Sequence, residues 1–473
     1  MSTGYYRTGL TGGTTNDLDN ISVASLSDGD VGMVLTGGNR YWYKYIAANS
    51  DSESSPDVII PDDNSSGTGA WVYQSNDRLD DHLASYKDIY SVEWNRDTNT
   101  FTRLHAAAGL TAGTDFDSIE PWASMQRCNV SDAGAVNDYY GDEDFEYDGS
   151  NGEVVVETGK FYYRTIRTST GAILSVSPYY RPDFKIFPAF HRNGKSLDYI
   201  YPSAFEGYYD SATGYMRSIA NVVPSTSDGT SDDSLSPITA YPDATIVGCR
   251  GYAQARGTQW EQWDFLTHNA LCYLAFIEYG TFDLQTAIGK GVVDKDSGSN
   301  NNAELTGQTA GYAGGTDLGN ASGQVGTDGS NSMSYRGVEN LYGNIYKWCD
   351  GLNIKADHDP YIADHGFASD TFVSPYTQLG VTLPSSNGYG NDILIHENID
   401  FGFLPISVGG ASNSGLFDYY SQTSGNRVAL VGGSWRDGTL AGPLYWGPYH
   451  WYAGSDRVVG ARSQMLPIPY SNV

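Results

Sequence analysis

A chain of 473 residues is long enough for two or three domains with substantial cores. Its 27 Lys and Arg against 56 Asp and Glu leave a net charge of −29, which repels phosphate backbones and argues against a nucleic-acid partner. No apolar run reaches bilayer length, so no membrane insertion is expected, and 56 Gly with 37 Tyr point to turn-rich β architecture with few long helices.

The opening Met1-Ser-Thr-Gly-Tyr-Tyr-Arg-Thr-Gly shows neither the apolar stretch of a secretion signal nor a lipidation motif. Cys128, Cys249, Cys272 and Cys349 are scattered without a CxxC pair, which predicts reduced, buried thiols in a protein folded in a cytoplasm.

Residues 1–80 read as a small antiparallel β module. Val31–Leu35, Tyr41–Ile46, Val58–Ile60 and Ala70–Tyr73 are apolar runs separated by turn residues such as Asp28-Gly29 and Gly37-Gly38. Asn76–His82 then reads as a polar linker.

Strands are expected at Glu153–Glu157, Lys160–Arg164, Ala172–Val176 and Lys185–Ala189. One helix stands out. Thr258-Gln-Trp-Glu261 has the spacing of a capping box, Trp263, Leu266, Ala270, Leu274 and Ile277 fall on one face, and Gly280 is placed to terminate it. Cys272 on that helix reads as a small buried hydrophobe. Two Gly/Ser/Asn/Asp-rich stretches, 225–236 and 294–332, read as surface insertions or loops that bury little apolar area.

Two motifs resemble a known family when taken together. Tyr335-Arg-Gly-Val-Glu-Asn-Leu-Tyr-Gly-Asn-Ile-Tyr-Lys-Trp348 is similar to the Gly-Asn-Val-Trp-Glu-Trp signature of the formylglycine-generating-enzyme-like branch of the C-type lectin fold. Gly432-Gly-Ser-Trp435 followed by Gly460-Ala-Arg462 resembles the closing pair of that branch. Phe161-Tyr-Tyr163, Phe187-Pro-Ala-Phe190 and Ala255–Trp260 look like segments of phage tail proteins on the same fold. The resemblance implies an α+β, β-rich chain: a C-type lectin fold over residues 85–464, preceded by the small antiparallel β domain.

Within that fold, residues 429–462 resemble the variable region of diversity-generating retroelement proteins, which are usually phage receptor-binding proteins or bacterial surface adhesins. The resemblance implies adenine-directed variation, whose reach excludes Lys, Glu, Gln, Met and Trp. Between Arg436 and Val459 the chain has no Lys, Glu, Gln or Met, while Trp446 and Trp451 would have to be frame positions. The segment is dense in Tyr and Trp, which give large contact area at low conformational-entropy cost. The Gly, Pro and Ser beside them argue for a displayed surface rather than a buried strand. The candidate ligand contacts are Arg436, Asp437, Thr439, Leu440, Pro443, Tyr445, Gly447, Pro448, Tyr449, His450, Trp451, Tyr452, Ser455, Asp456 and Arg457. The structural frame is Trp348, Gly432, Gly433, Trp435, Trp446, Gly460 and Arg462.

Enzymatic readings find little support. The family's catalytic enzymes hold copper with a late cysteine pair, and no cysteine follows Cys349. Related iron enzymes use a His-rich triad, and the eight histidines here include no i, i+4 pair. Asp357-His-Asp359 with Asp364-His365 could ligate a divalent ion or form a solvated loop. Asp294-Lys-Asp-Ser-Gly298 lacks the acidic twelfth residue of a calcium loop, which is Leu305, and Ser434 sits in no nucleophile elbow. No cofactor is expected.

The functional expectation is a phage tail-tip or tail-fibre receptor-binding protein, made in the host cytoplasm and located on the virion. Its partners would be a bacterial surface receptor, protein or glycan, and other tail proteins reached through residues 1–80. The resemblance implies a homotrimer. The alternatives are a cellular surface-displayed variable adhesin and a sugar-hydrolysing tail enzyme, the latter needing a carboxylate pair that the sequence does not place.

Overall fold

The computed structural model describes residues 4–12, 14–36, 39–55, 58–65, 67–73, 87–230, 238–295, 298, 300–311 and 329–467. The Gly37-Gly38 turn and the Asn76–His82 linker lie outside them. The chain divides into two compact units, Met1–Lys87 and Asp88–Val473.

In the first unit the apolar runs form a five-stranded sheet, in the order Gly4–Arg7, Val31–Thr36, Asn39–Ile46, Ala70–Tyr73, Val58–Ile59. The sheet is mixed rather than purely antiparallel, because Gly4–Arg7 runs parallel to Val31–Thr36. That strand is too short and polar to carry an apolar signature. Trp71 is fully buried among Leu18, Ile21, Val34, Tyr43, Tyr45 and Ile59. Gly32 lets the sheet approach this cluster, since a Cβ there would meet Leu18 Cδ1 at 2.8 Å and the Trp71 ring at 3.2 Å.

The second unit is β-rich with few helices. One sheet runs Trp260–Gln262, Ser463–Met465, Tyr199–Pro202, Glu153–Gly159, Gln126–Val130, Val136–Tyr139. A second runs Lys185–Ile186, Tyr162–Arg167, Gly171–Ser177, Tyr90–Asn95, Thr100–His105. The third carries the site. Its order is Thr377–Gln378, Pro360–Ile362, Tyr346–Ile354, Arg427–Gly432, Gly442–Trp446, Tyr419–Tyr420, Gly388–Ile393, Pro405–Val408, and Val459–Gly460 lies parallel to the Tyr346–Ile354 strand.

Three α-helices occur among the described residues: α1 (Ile246–Gln254), α2 (Phe265–Tyr279) and α3 (Leu284–Ala287). Helix α2 starts later than the Thr258–Glu261 spacing predicts. Trp260–Gln262 is a strand paired with Ser463–Met465, so the Thr258–Glu261 segment does not begin the helix. Asp264 is the cap, accepting from Thr267 N at 2.8 Å, and Gly280 ends the helix at φ 63°. The helix is buried from Phe265 to Glu278, so its apolar residues are not confined to one face. Cys272 is a buried thiol pushed well above its ordinary pKa by desolvation, and all four cysteines are free and buried. Helix α1 escaped the periodicity because Gly248, Arg250 and Gly251 interrupt its apolar pattern.

Three further expectations are corrected. Phe161 precedes the Tyr162–Arg167 strand, and Pro188–Phe190 is a 3₁₀ turn, so the strand expected at Lys185–Ala189 stops at Ile186. The described parts of the low-complexity stretches are only partly at the surface: Ser227, Gly229, Thr230, Asp294 and Gln308 are exposed, but Ser225, Thr226, Asn301, Asn302, Thr306 and Thr309 are fully buried. Their polar groups are satisfied inside, with Glu339 accepting from Gly307 N at 2.9 Å and Thr309 N at 2.7 Å. The residues between, 231–237 and 312–328, lie outside the described set.

Candidate functional site

Trp348 lies in the middle of the Tyr346–Ile354 strand, fully buried, with its indole N–H donating to Ala244 O at 2.9 Å. Trp435 is fully buried beside it in the same core, and its backbone N donates to Asn344 O at 2.9 Å. Trp446 closes the other side, donating from Nε1 to Phe403 O at 3.1 Å. Gly432 and Gly433 both hold positive φ, and a Cβ at Gly433 would come within 2.5 Å of Ala441 Cβ. Gly460 is as constrained, since a Cβ would meet Ser225 O at 2.4 Å. These contacts are the physical reason for the glycines.

Arg462 is fully buried, with no ion-pair partner among the described residues. Its guanidinium donates to Ser203 O (2.8 Å), Ala204 O (3.0 Å), Glu339 O and Asn340 O (3.2 Å), and lies 5.3 Å above the Trp263 ring. Burial lowers it to about 10. Lys347 faces Glu206 at 3.2 Å in the same interior and is lowered to about 8, chiefly by desolvation. Arg462 thus pins four backbone carbonyls across the unit.

Beneath the loop, Asp437 accepts from Ser434 N and Oγ, both at 2.6 Å, and from the Tyr346 hydroxyl at 2.7 Å. Desolvation raises its carboxyl. Tyr346 packs its ring 5.2 Å from Tyr445 and 6.1 Å from Tyr449; Tyr449 in turn lies 4.6 Å from His450, and His450 sits edge-on to Trp348 at 5.6 Å. Tilted and edge-on aromatic contacts therefore run from the frame to Tyr449 and His450. Next in the chain come Trp451 and Tyr452, 55% and 39% exposed, with ring centroids 5.9 Å apart.

The candidate contacts divide accordingly. Arg436, Thr439, Trp451, Tyr452 and Ser455 are exposed; Asp437, Leu440, Tyr449, His450, Asp456 and Arg457 are intermediate. Pro443, Tyr445, Gly447 and Pro448 are buried, which corrects their placement as surface contacts. Gly442–Trp446 is a strand between Arg427–Gly432 and Tyr419–Tyr420, so the aromatic run does enter a buried strand before it emerges as a loop. His268 of α2 holds that strand, with Nε2 2.7 Å from Pro443 O. Asp437 is also largely spent on Ser434 and Tyr346.

The sequence reading missed several neighbours of the tip. Tyr389 meets Thr439 (3.1 Å, hydroxyl to hydroxyl) and packs edge-on against Tyr419 at 5.4 Å. Arg427, at the start of its strand, lies close enough to His450 to lower its pKa. Only the high tyrosine count hinted at the first pair. Nothing local marked Arg427.

Asp357, Asp359, Asp364 and His365 do not assemble a metal centre. Among the described residues no group of three metal-capable side chains converges. Asp359 accepts from Gln378 (2.6 Å) and Thr382 (2.7 Å), while Asp364 bonds His365 Nδ1 at 2.5 Å and Asn193 N at 3.0 Å.

No protein-family model and no curated protein matches the chain. Among solved structures it aligns with the Major Tropism Determinant M1 variant (12% identity, TM-score 0.27, 98% of each chain). It aligns likewise with the U1 variant (11%, 0.27, 93% of this chain and 94% of that) and the I1 variant (12%, 0.28, 98% and 99%). At that TM-score the alignments carry no argument about this chain.

Proposed function

We propose that this chain is a phage tail receptor-binding protein, which displays the exposed part of its 429–462 region from a C-type lectin scaffold to a receptor on a bacterial surface. The observation that carries the reading is the abrupt change in exposure along one short segment. Trp446 is 1% exposed and Val458 and Val459 are fully buried, yet Trp451 between them is 55% exposed and meets Tyr452 edge-on. Burying or paving over a large aromatic normally stabilises a fold, so a projecting pair on a rigid base is better suited to a partner than to the core. Side chains on such a loop can change without disturbing the strands that hold it.

In this reading residues 1–80 attach to other virion proteins, and homotrimerisation multiplies weak single-site contacts into avidity. The work of the site is binding, not bond making. Labelled full-length protein titrated against a panel of bacterial strains tests it. Selective, saturable binding to some strains is expected, with the W451S/Y452S variant weakened about tenfold, or ~1.4 kcal/mol. Binding that is absent from every strain, or unchanged in the variant, overturns the reading.

A further inference from the structure

Lys347 is a lysine in the interior of the sheet that carries the site. A buried ammonium is costly, and a lysine relieved of its charge by burial becomes a nucleophile. Its neighbours are the groups such a nucleophile would use. Nζ lies 3.2 Å from Glu206 Oε1 and donates to Gly343 O at 2.9 Å. The other oxygen of the same carboxylate, Oε2, accepts from Asn344 Nδ2 at 2.5 Å. On the far side of that amide, Asn344 Oδ1 accepts from Glu304 N at 2.8 Å. Lys347, Glu206 and Asn344 are all buried. One carboxylate thus bridges an amine and a carboxamide nitrogen, while a backbone N–H polarises the amide carbonyl.

The backbone holds both reactants in place. Asn344 N donates to Val292 O at 2.7 Å and Asn344 O accepts from Trp435 N at 2.9 Å, while Lys347 is paired with Val431 on one side and Gly460 on the other. Fixing two groups in a dry interior replaces a bimolecular encounter by an intramolecular one and keeps out water, the competing nucleophile. Burial lowers the Lys347 amine to about 8; the Arg462 charge adds to that effect and Glu206 opposes it. A neutral amine is therefore within reach at ordinary pH. Asn340 also reaches Glu206 Oε2, but at 3.3 Å, and its Oδ1 accepts from Met333 N at 3.3 Å. Asn344 has the shorter contact on both sides of its amide.

We infer that Lys347 and Asn344 join in an intramolecular isopeptide bond, with Glu206 carrying the proton between them. Lys347 Nζ passes a proton to Glu206 Oε1, and its lone pair attacks Asn344 Cγ. The oxygen that gains charge is Oδ1, which the Glu304 N–H already faces. Glu206 Oε2 returns a proton to Nδ2, and the Cγ–Nδ2 bond breaks with its electron pair on the departing nitrogen. The second proton released by Nζ leaves with that nitrogen. In sum, a lysine ammonium and a carboxamide become a secondary amide and an ammonium ion, and Glu206 ends as it began. The new amide ties the turn at Gly343 and Asn344 to the strand that carries Trp348, and it removes a buried cation. This chemistry is independent of receptor binding.

Tryptic peptide mapping of the denatured full-length protein by mass spectrometry tests it. Trypsin cuts after Arg336, Lys347 and Lys355 when each side chain is free. Residues 337–355 are expected as one uncut peptide, lighter than its sequence by one ammonia, about 17 Da, with no backbone fragments from between Asn344 and Lys347. The K347M and E206Q variants should each return the mass of their sequence. Wild-type protein of full sequence mass, cut after Lys347, overturns the inference, and that measurement needs no variant to fold. A loss of ammonia that persists in K347M overturns it as well, because the asparagine has then cyclised without the lysine. Fragments that place the ring closure at Asn340 overturn the choice of Asn344.

Discussion

Replacing Trp348 by alanine removes a side chain that is fully buried and central to the third sheet. It pairs with Leu430 across the sheet, donates to Ala244 O at 2.9 Å, and supports the edge of the His450 ring at 5.6 Å. Truncating a buried aromatic to alanine costs about 3–5 kcal/mol through lost transfer energy and the cavity left behind. Loss of the indole N–H also strands a carbonyl on a 5%-exposed residue, which places the expectation near the upper end of that range. Trp451→Ala is the matched control. More than half of that side chain is already in water, so its removal should cost within about 0.5 kcal/mol. Urea denaturation of the full chain, followed by far-ultraviolet circular dichroism, measures both. A cost below about 1 kcal/mol for Trp348→Ala, or equal costs for the two, would refute the division into buried frame and exposed tip.

Other predictions follow from buried ionisable groups and from the unit boundary. His268 is lowered to about 4 by burial, against an unfolded value of about 6.5, so its contribution to stability is complete above that value and is lost as pH falls towards 4. The stability difference between wild type and H268Q should shrink over that window; a difference independent of pH contradicts the assignment. Asp418 has the opposite sign: burial raises it well above an ordinary carboxyl, it accepts from Leu444 N at 2.7 Å, and no cation lies within ion-pair distance among the described residues. D418N should therefore gain stability relative to wild type as pH rises from 5 to 8, and an unchanged difference would show that the carboxylate is compensated. A fragment beginning at Asp88 should fold and still bind cells, yet fail to join phage particles. Incorporation of the fragment would move the attachment role away from residues 1–80.

Much of the frame was legible in the sequence because glycine and tryptophan have few structural substitutes. Gly433 and Gly460 occupy positions where a Cβ would collide, and Trp348, Trp435 and Trp446 fill the core between strands. The helix end was equally readable from the glycine at 280, which takes the left-handed conformation there. The misses have a common cause, which is that partners distant in sequence decided the local outcome. Thr258–Glu261 has capping-box spacing, but pairing with Ser463–Met465 draws Trp260–Gln262 into a strand. Polar Asn301, Thr306 and Thr309 look solvated until Glu339 and other interior acceptors are seen to satisfy the same stretch. Tyr445 reads as a surface aromatic among Gly and Pro, yet the strands on both sides bury it. Arg427 acquires its place beside His450 only through the fold.

The central claim is that the Trp451–Tyr452 tip touches the bacterial surface. Site-specific photocrosslinking tests it most directly: a benzoylphenylalanine is placed at Tyr452 in one full-length protein and at Tyr180, 69% exposed and remote in sequence, in another. After irradiation on a strain that the protein binds, the account predicts surface adducts from position 452 and none above background from position 180. Adducts from position 180 alone, or from both equally, would contradict it.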